Sequence, residues 1–291
     1  MANEIDSGSS TNETIAAEIV DREMIPAAYG NNPILQLVKH KDMTGENSLV
    51  SEHVKWPDLT ASVTAPGDGV DLSNVAVDTT SVSATVSERG VMNTITDLFL
   101  SASIVNVTDF AQQLGAAVGQ TIESDLAAEF ADLTDTTGTT TADFSHSNFL
   151  DAMLFIENAG VLDRGPIYAV MHPQQIFDLR TNIATSLSGS VFGSERLGAD
   201  GPFQIGMSWG LYGVTIVSSR RLATANSDGD VVGAMFPAGN MSPFVYTTKW
   251  HPRSEFERDA SLRGWEVVAT AAYADECIDP AAGTKLVTDA P

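Results

Sequence analysis

TDFAQQLGAAVGQTIESDLAAEFADL, running from Thr108 to Leu133, sets Phe110, Leu114, Val118, Ile122, Leu126 and Phe130 at every fourth position, with Ala111, Ala117 and Ala127 beside them. An α-helix repeats about every 3.6 residues, so this spacing draws one apolar stripe along a single helix. Asn106 to Asp109 read as a capping-box-like start, a short acceptor side chain followed three residues on by a carboxylate. At about 1.5 Å of rise per residue the rod is roughly 35–40 Å long, beyond the usual globular helix. Glu123, Asp125, Glu129 and Asp132 are expected on its other face, and no Lys or Arg between Arg89 and Arg164 offers them a local partner. Such a rod is either an ordinary core helix or one that needs a broad sheet or another subunit along its apolar edge.

Upstream of the rod, residues 1–13 are polar and apolar-poor, an arm that cannot fold by itself. Ile15, Ile19, Val20 and Met24 predict a short amphipathic helix ending before Pro26, followed by the Asn31-Asn32-Pro33 turn and an apolar piece from Ile34 to His40. The arm either lies across a neighbour or frays. Leu49 to Trp56 alternate, residues 60–74 hold a Pro-Gly-Asp-Gly turn, and Val75, Val77, Val82, Ala84 and Val86 alternate with Ser, Thr and Asp. The pattern predicts an extended two-stranded flap over residues 55–96 with its tip near Pro66 to Asp71. An isolated hairpin is marginal in water, so the flap covers either its own domain or the next copy.

Downstream, Val91 to Val105 lead into the rod, and TDTTGTTTADFSHS reads as a low-complexity polar loop. Phe149, Ala152, Met153, Ile156 and Ala159 predict a helix stopping at Gly160; Ile167 to Met171 predict a buried strand; Pro173 opens a third helix. Residues 185–206 read as a Gly/Ser-rich mobile loop, and Leu211 to Ser218 as a strand. Val231 to Phe236 and Phe244 to Trp250 are further strands, with the alternation continued by Glu255 to Asp259. Trp265 to Tyr273 form a long closing strand, and the tail holds one more short β piece. Arm, flap, long helix, α/β middle and long β-hairpin make an α+β order in which several elements cannot bury themselves.

Composition narrows the function. The 291 residues carry 38 acids against 15 Lys and Arg, a formal charge of −23. That balance argues against nucleic-acid binding as the main activity and against docking on an anionic membrane. Cys277 is the sole cysteine, which excludes an intrachain disulfide and a thiolate metal cluster. The first residues lack a secretory pattern and no apolar run approaches a membrane span, so a soluble protein made in a reducing cytoplasm is expected.

Catalytic and ligand motifs are weak. Gly206-Met207-Ser208-Trp209-Gly210 fits the G-x-S-x-G elbow, but a strand rather than a helix is expected after it, which makes Ser208 a loop or strand-edge residue. His40, His53, His146, His172 and His251 show no metal-ligand spacing. Asp68 to Asp71 and Asp228 to Asp230 read as turn chemistry, since neither is closed by an EF-hand glutamate. No phosphate-cradling glycine loop is present. No enzyme, cofactor or metal site is expected.

In four places the residues resemble tailed-phage major capsid proteins of the Hong Kong 97-type fold. The first is the flap's end, DLSNVAVDTTSVSATVSERGVMNTITD (Asp71 to Asp97); the second is the end of the rod, GQTIESDLAAEF (Gly119 to Phe130), similar to that family's spine helix. The third is YAVMHPQQIFDLR (Tyr168 to Arg180). The fourth is LYGVTIVSSRRL (Leu211 to Leu222) followed by KWHPRSEFERDASLRGWEVVATAAY (Lys249 to Tyr273). The resemblance covers nearly the whole chain after about residue 15. It implies an N-terminal arm (1–48), an extended flap or E-loop with its base strands (49–98), a spine helix and peripheral domain (99–145) and an axial domain (146–248). A late hairpin of the peripheral domain (249–275) and a return to the axial domain (276–291) complete the division.

The implied function is a major capsid protein of a tailed double-stranded DNA phage. It would self-assemble into hexamers and pentamers of an icosahedral head that encloses the genome without sequence-specific binding. It would belong to the virion, be assembled in the host cytoplasm and touch no membrane. An encapsulin-type nanocompartment shell of the same fold is the alternative. Two departures from the family follow. No Lys occurs between Lys55 and Lys249, so no lysine–asparagine weld from the flap is expected. The flap is reached by about residue 55, so a separate scaffolding protein is expected, or a trimmed arm, alongside a portal and a decoration protein as candidate partners. Arg253, Arg258 and Arg263 cluster late, beside Lys249 and His251, while Asp68, Asp71 and Asp78 mark the flap. These six are the expected intersubunit contacts, because arginine's planar fork grips a carboxylate in two places.

Overall fold

The rod forms as its spacing predicts: a helix covers Val107–Ala128 and a 3-10 turn, Glu129–Asp132, extends it. The computed structural model describes residues 22–30, 32–55, 62–65, 68–69, 71–72, 74–98, 107–187, 208–222 and 230–289. Residues 1–21 of the expected arm, with Ile15, Ile19 and Val20, the Asn106 cap, part of the flap tip and most of the 185–206 loop lie outside these residues. Helices α1 to α4 are 22–30, Val107–Ala128, His146–Asn158 and Pro173–Leu187.

Three sheets organise the strands. Strands β1 (Lys39–Asp42), β4 (Ser87–Thr96), β10 (Phe244–Asp259) and β11 (Gly264–Cys277) form one of order β1-β10-β11-β4. Strands β5 (Asp135–Gly138), β6 (Ile167–Met171), β7 (Ser208–Leu211), β8 (Val214–Ser218), β9 (Val231–Pro237) and β12 (Thr284–Thr288) form the second, ordered β5-β12-β9-β6-β8-β7. Strands β2 (Val50–Lys55) and β3 (Thr80–Thr85) pair only with each other, from Val50↔Thr85 to Lys55↔Thr80.

Leu114, Val118, Ile122 and Leu126 of α2 share one core with Val267, Ala269, Ala271 and Tyr273 of β11. The rod therefore finds its broad sheet within its own chain. Phe130 at its end meets Phe236 and Phe244 at ring-centroid distances of 5.7 and 5.1 Å, and so ties both large sheets into that core. A second core lies between α3 and α4 and one face of the six-stranded sheet, with Phe149, Ile156, Leu179, Ile216 and Leu286 buried. Ser145 caps α3 by accepting the Asn148 N–H, and Gly160 ends it at φ +64°, a left-handed conformation suited to glycine.

Several expectations are corrected. Helix α1 runs through Pro26, because Met24 and Ala28 are buried and their backbone packs against Gly115 and Gly119 of α2. A Cβ on Gly119 would lie 2.2 Å from the Ala28 carbonyl oxygen, so this crossing depends on glycine. Packing here overrides proline's tendency to end a helix. Ala117, placed beside the stripe by spacing, is exposed. Strand β4 leaves the flap and pairs with β11: the ladder to β2 ends at Thr85, and Val86, the one residue between β3 and β4, is buried against Ala272 and Ala274 of β11. The polar loop after the rod contains β5 and the fully buried Phe144. The expected strand 211–218 is a hairpin, turned by Tyr212 and Gly213 at φ 53° and 84°, the pair of positive values a tight hairpin turn requires. Residues 244–259 form one strand, since Pro252 falls in a register irregularity where its missing N–H breaks no ladder pair.

Candidate functional site

The flap carries apolar side chains that its own chain leaves in solvent. Val63 is 81% exposed, Leu72 68% and Val54 57%, with Leu49, Val75 and Val77 also exposed. Among its described residues the root is packed: Ala84 and Val86 sit with Ala272, Ala274 and Trp250 in a small separate core. Two ionic fixings hold that root. Lys249 Nζ donates to the carbonyl oxygens of Met43 (3.3 Å), Ser48 (3.1 Å) and Glu46, gathering the loop before β2. Asp279 accepts from Lys55 Nζ at 2.5 Å and from Arg164 Nη1 at 2.7 Å, joining the end of β2 to the six-stranded sheet's periphery. Burial works to raise the Asp279 pKa, but the hydrogen bonds and charges of Lys55 and Arg164 outweigh it and leave the carboxyl below its ordinary value.

The late hairpin β10–β11 places the expected arginines differently from one another. Arg258 grips Asp97 with both guanidinium nitrogens at 2.7 Å and lies 5.2 Å over the Trp265 ring. Its fork is thus engaged within the chain, and its hydrogen bonds hold Asp97 below the ordinary carboxylate range. Arg253 stacks 4.9 Å over Trp250 and lies 3.6 Å from Glu255. Arg263 sits exposed in the hairpin turn at φ 50°. Asp68, Asp71 and Asp78 are exposed, and none makes an ion pair among the described residues. The structure therefore does not bring the six together within one chain.

Of the rod's four acids only Asp132 is exposed as expected; the other three turn toward the sheets. Glu123 is buried and accepts the Ser219 hydroxyl at 2.6 Å. Asp125 accepts Tyr273 Oη at 2.6 Å and Arg89 Nε at 3.2 Å, and Glu129 accepts the Cys277 N–H at 3.1 Å. Asp275 of β11 joins Asp125 and Glu129 in this seam, where Arg89 acts on Asp125 and Asp275. Burial, with the negative charge of Asp275, raises the Glu129 pKa to about 7, and burial with Asp125 raises that of Asp275 to about 6. Sequence spacing could not show this, because Arg89 reaches Asp125 through sheet pairing rather than along the helix.

A cluster of cations was also missed. Lys39, His53, Lys55 and Arg164 line a cleft of about 170 Å³ at the flap's root, with Asp279. The available signal was that three of the five lysines lie between residues 39 and 55. Ser208 lies on β7, an edge strand followed by a hairpin turn, a topology that excludes the nucleophile elbow. Among the described residues no helix is long and apolar enough to cross a membrane.

A subunit with an uncovered flap on a two-sheet body is a component of an assembly. The family model for phage capsid protein matches residues 79–286, and the chain belongs to that family as a major capsid protein of the Hong Kong 97-like fold. Among solved structures, the mature capsid of bacteriophage PhiM1 is 15% identical with a TM-score of 0.64, covering 90% of this chain and 88% of that one. A chain from Mycobacterium phage Che8 is 18% identical with a TM-score of 0.59, covering 82% and 84%. The holo-SrpI encapsulin complex of Synechococcus elongatus is 11% identical with a TM-score of 0.61, covering 88% and 86%. At these identities the likeness is one of fold. No curated protein sequence matches the chain.

Proposed function

We propose that copies of this chain form the pentamers and hexamers of an icosahedral head around a double-stranded DNA genome, each flap lying over the next copy. The observation that carries this reading is the flap's exposed apolar set, with Val63 and Leu72 at 81% and 68% exposure. These side chains lie in the extended segment between β2 and β3, and several large apolar groups exposed together on one projecting element mark a surface for a partner. In this reading α2 with the β10–β11 hairpin belongs to the peripheral domain, and α3 and α4 with most of the six-stranded sheet to the axial domain. The boundaries are residues 49–98 for the flap, 99–145 and 249–275 for the peripheral part, and 146–248 and 276–291 for the axial part. A separate scaffolding protein, a portal and a decoration protein are its proposed partners, the host cytoplasm its place of assembly, and no catalysis is assigned to it.

Intersubunit ion pairs remain part of the proposal, with the weight moved to Arg253 and Arg263, since Arg258 already holds Asp97. Charge reversal at Arg263 should lower assembly yield; unchanged yield in Arg253→Glu and Arg263→Glu would remove these contacts. Electron microscopy of the expressed protein, with and without a scaffolding partner, tests the main reading: closed particles are expected, and a persistent monomer would end it. The encapsulin fold likeness keeps a second reading in view, distinguished by a cargo enzyme rather than DNA inside the particle.

A further inference from the structure

The cleft at the flap's root is cationic in a chain whose formal charge is −23. Lys39, Lys55 and Arg164 line it against one carboxylate, Asp279, and both oxygens of that carboxylate are already engaged by Lys55 and Arg164. Lys39 and Lys41 are two residues apart on β1 and so share one face of it. Lys41 Nζ bridges to the Glu52 carbonyl oxygen at 3.3 Å, and neither ammonium meets a carboxylate among the described residues. His53, hydrogen-bonded to Ser51 at 3.0 Å, is pushed below its ordinary pKa by burial and by the Lys41 and Lys39 charges, a sign of positive potential in the cleft.

We infer that this cleft is a docking site for side-chain carboxylates of a second copy of the chain. The inference rests on the shell-forming reading and adds to it a specific contact. Three observations favour a second copy over a nucleic-acid phosphate. The cleft is continuous with β2 of the flap, the element its own chain leaves uncovered. Its volume of about 170 Å³ suits one or two side chains rather than a strand of nucleotides. Each copy offers 38 acids, among them the exposed Asp68, Asp71 and Asp78, which make no ion pair among the described residues, whereas a polyanion would approach a surface of like charge. The contact fixes register at the point where the flap leaves the body, and it weakens as salt screens it.

Particles assembled from an equal mixture of ¹⁴N- and ¹⁵N-labelled chains, treated with a zero-length carbodiimide, test the inference by mass spectrometry. Lys39 or Lys41 joined to an Asp or Glu of the other isotope is the expected result. Same-isotope links only, or no link at these lysines while other inter-copy links form, would overturn it. Failure of unmodified protein to give any particles would instead count against the shell reading itself. As a second measurement, Lys39→Gln with Lys41→Gln should raise the concentration needed for assembly about tenfold, with an unchanged melting curve as the folding control. Assembly equal to that of the unmodified chain overturns the inference. So does a defect seen only when a DNA oligonucleotide is present, which would assign the cleft to phosphate.

Discussion

Glu129 and Asp275 make the chain's stability depend on pH. Its folded pKa of about 7 and that of Asp275, about 6, lie above the ordinary values of 4.5 and 3.8. Between roughly pH 4.5 and 7 the unfolded chain gives up these protons before the folded one does, so the folded state binds more protons and loses stability as pH rises. Below that window both states are protonated and no penalty applies. Asp279 has the opposite sign: its lowered pKa contributes stability above the ordinary carboxylate range that is lost as pH falls through the folded value. The melting temperature should therefore decline from pH 5 to pH 7, measured calorimetrically. Glu129→Gln, which keeps an acceptor for the Cys277 N–H, should flatten that decline and raise the melting temperature at pH 8. A slope unchanged in this variant would contradict the seam's assignment.

At the scale of elements, the α1–α2 crossing and the flap root are the joints. Gly119→Ala would drive a methyl into the Ala28 carbonyl and should cost about 1–3 kcal/mol, with earlier proteolytic release of the segment before residue 31. Asp279→Asn removes the charge shared by Lys55 and Arg164. After discounting for solvent at those partly exposed partners it should cost about 1 kcal/mol and speed amide hydrogen exchange across β2. These joints also mark what sequence could not say. The stripe from Leu114 to Phe130 was legible because helical periodicity is local. That the rod rests on β11, that β4 leaves the flap for the same sheet, and that Glu123 and Asp125 turn inward all depend on pairings over long separations. Charge and chain position alone mark the six expected contact residues, and neither shows that Arg258 bonds Asp97. The lysines at the flap's root were visible as a cluster but had no meaning until Arg164 and Asp279 were brought beside them.

For the molecule as a whole, the division between self-supporting body and uncovered flap predicts a separation of stability from assembly. Val63→Ser with Leu72→Ser should leave the melting of the unassembled chain within about 0.5 kcal/mol, because both side chains already face solvent, yet sharply reduce particle yield in sedimentation. Equal loss of both properties would mean the flap folds onto its own body. The seating of β12 between β5 and β9 has a different consequence. Thr284 bonds Asp135 at 2.9 Å across almost the entire downstream half of the chain, so β12 lies inside the six-stranded sheet and joins segments far apart in sequence. A ribosome-bound or truncated polypeptide without residues 284–288 leaves β5 unpaired. Closure of the six-stranded sheet thus waits on a strand far downstream of β5, and a chain cut before Thr284 should lack the protease resistance of the full sequence.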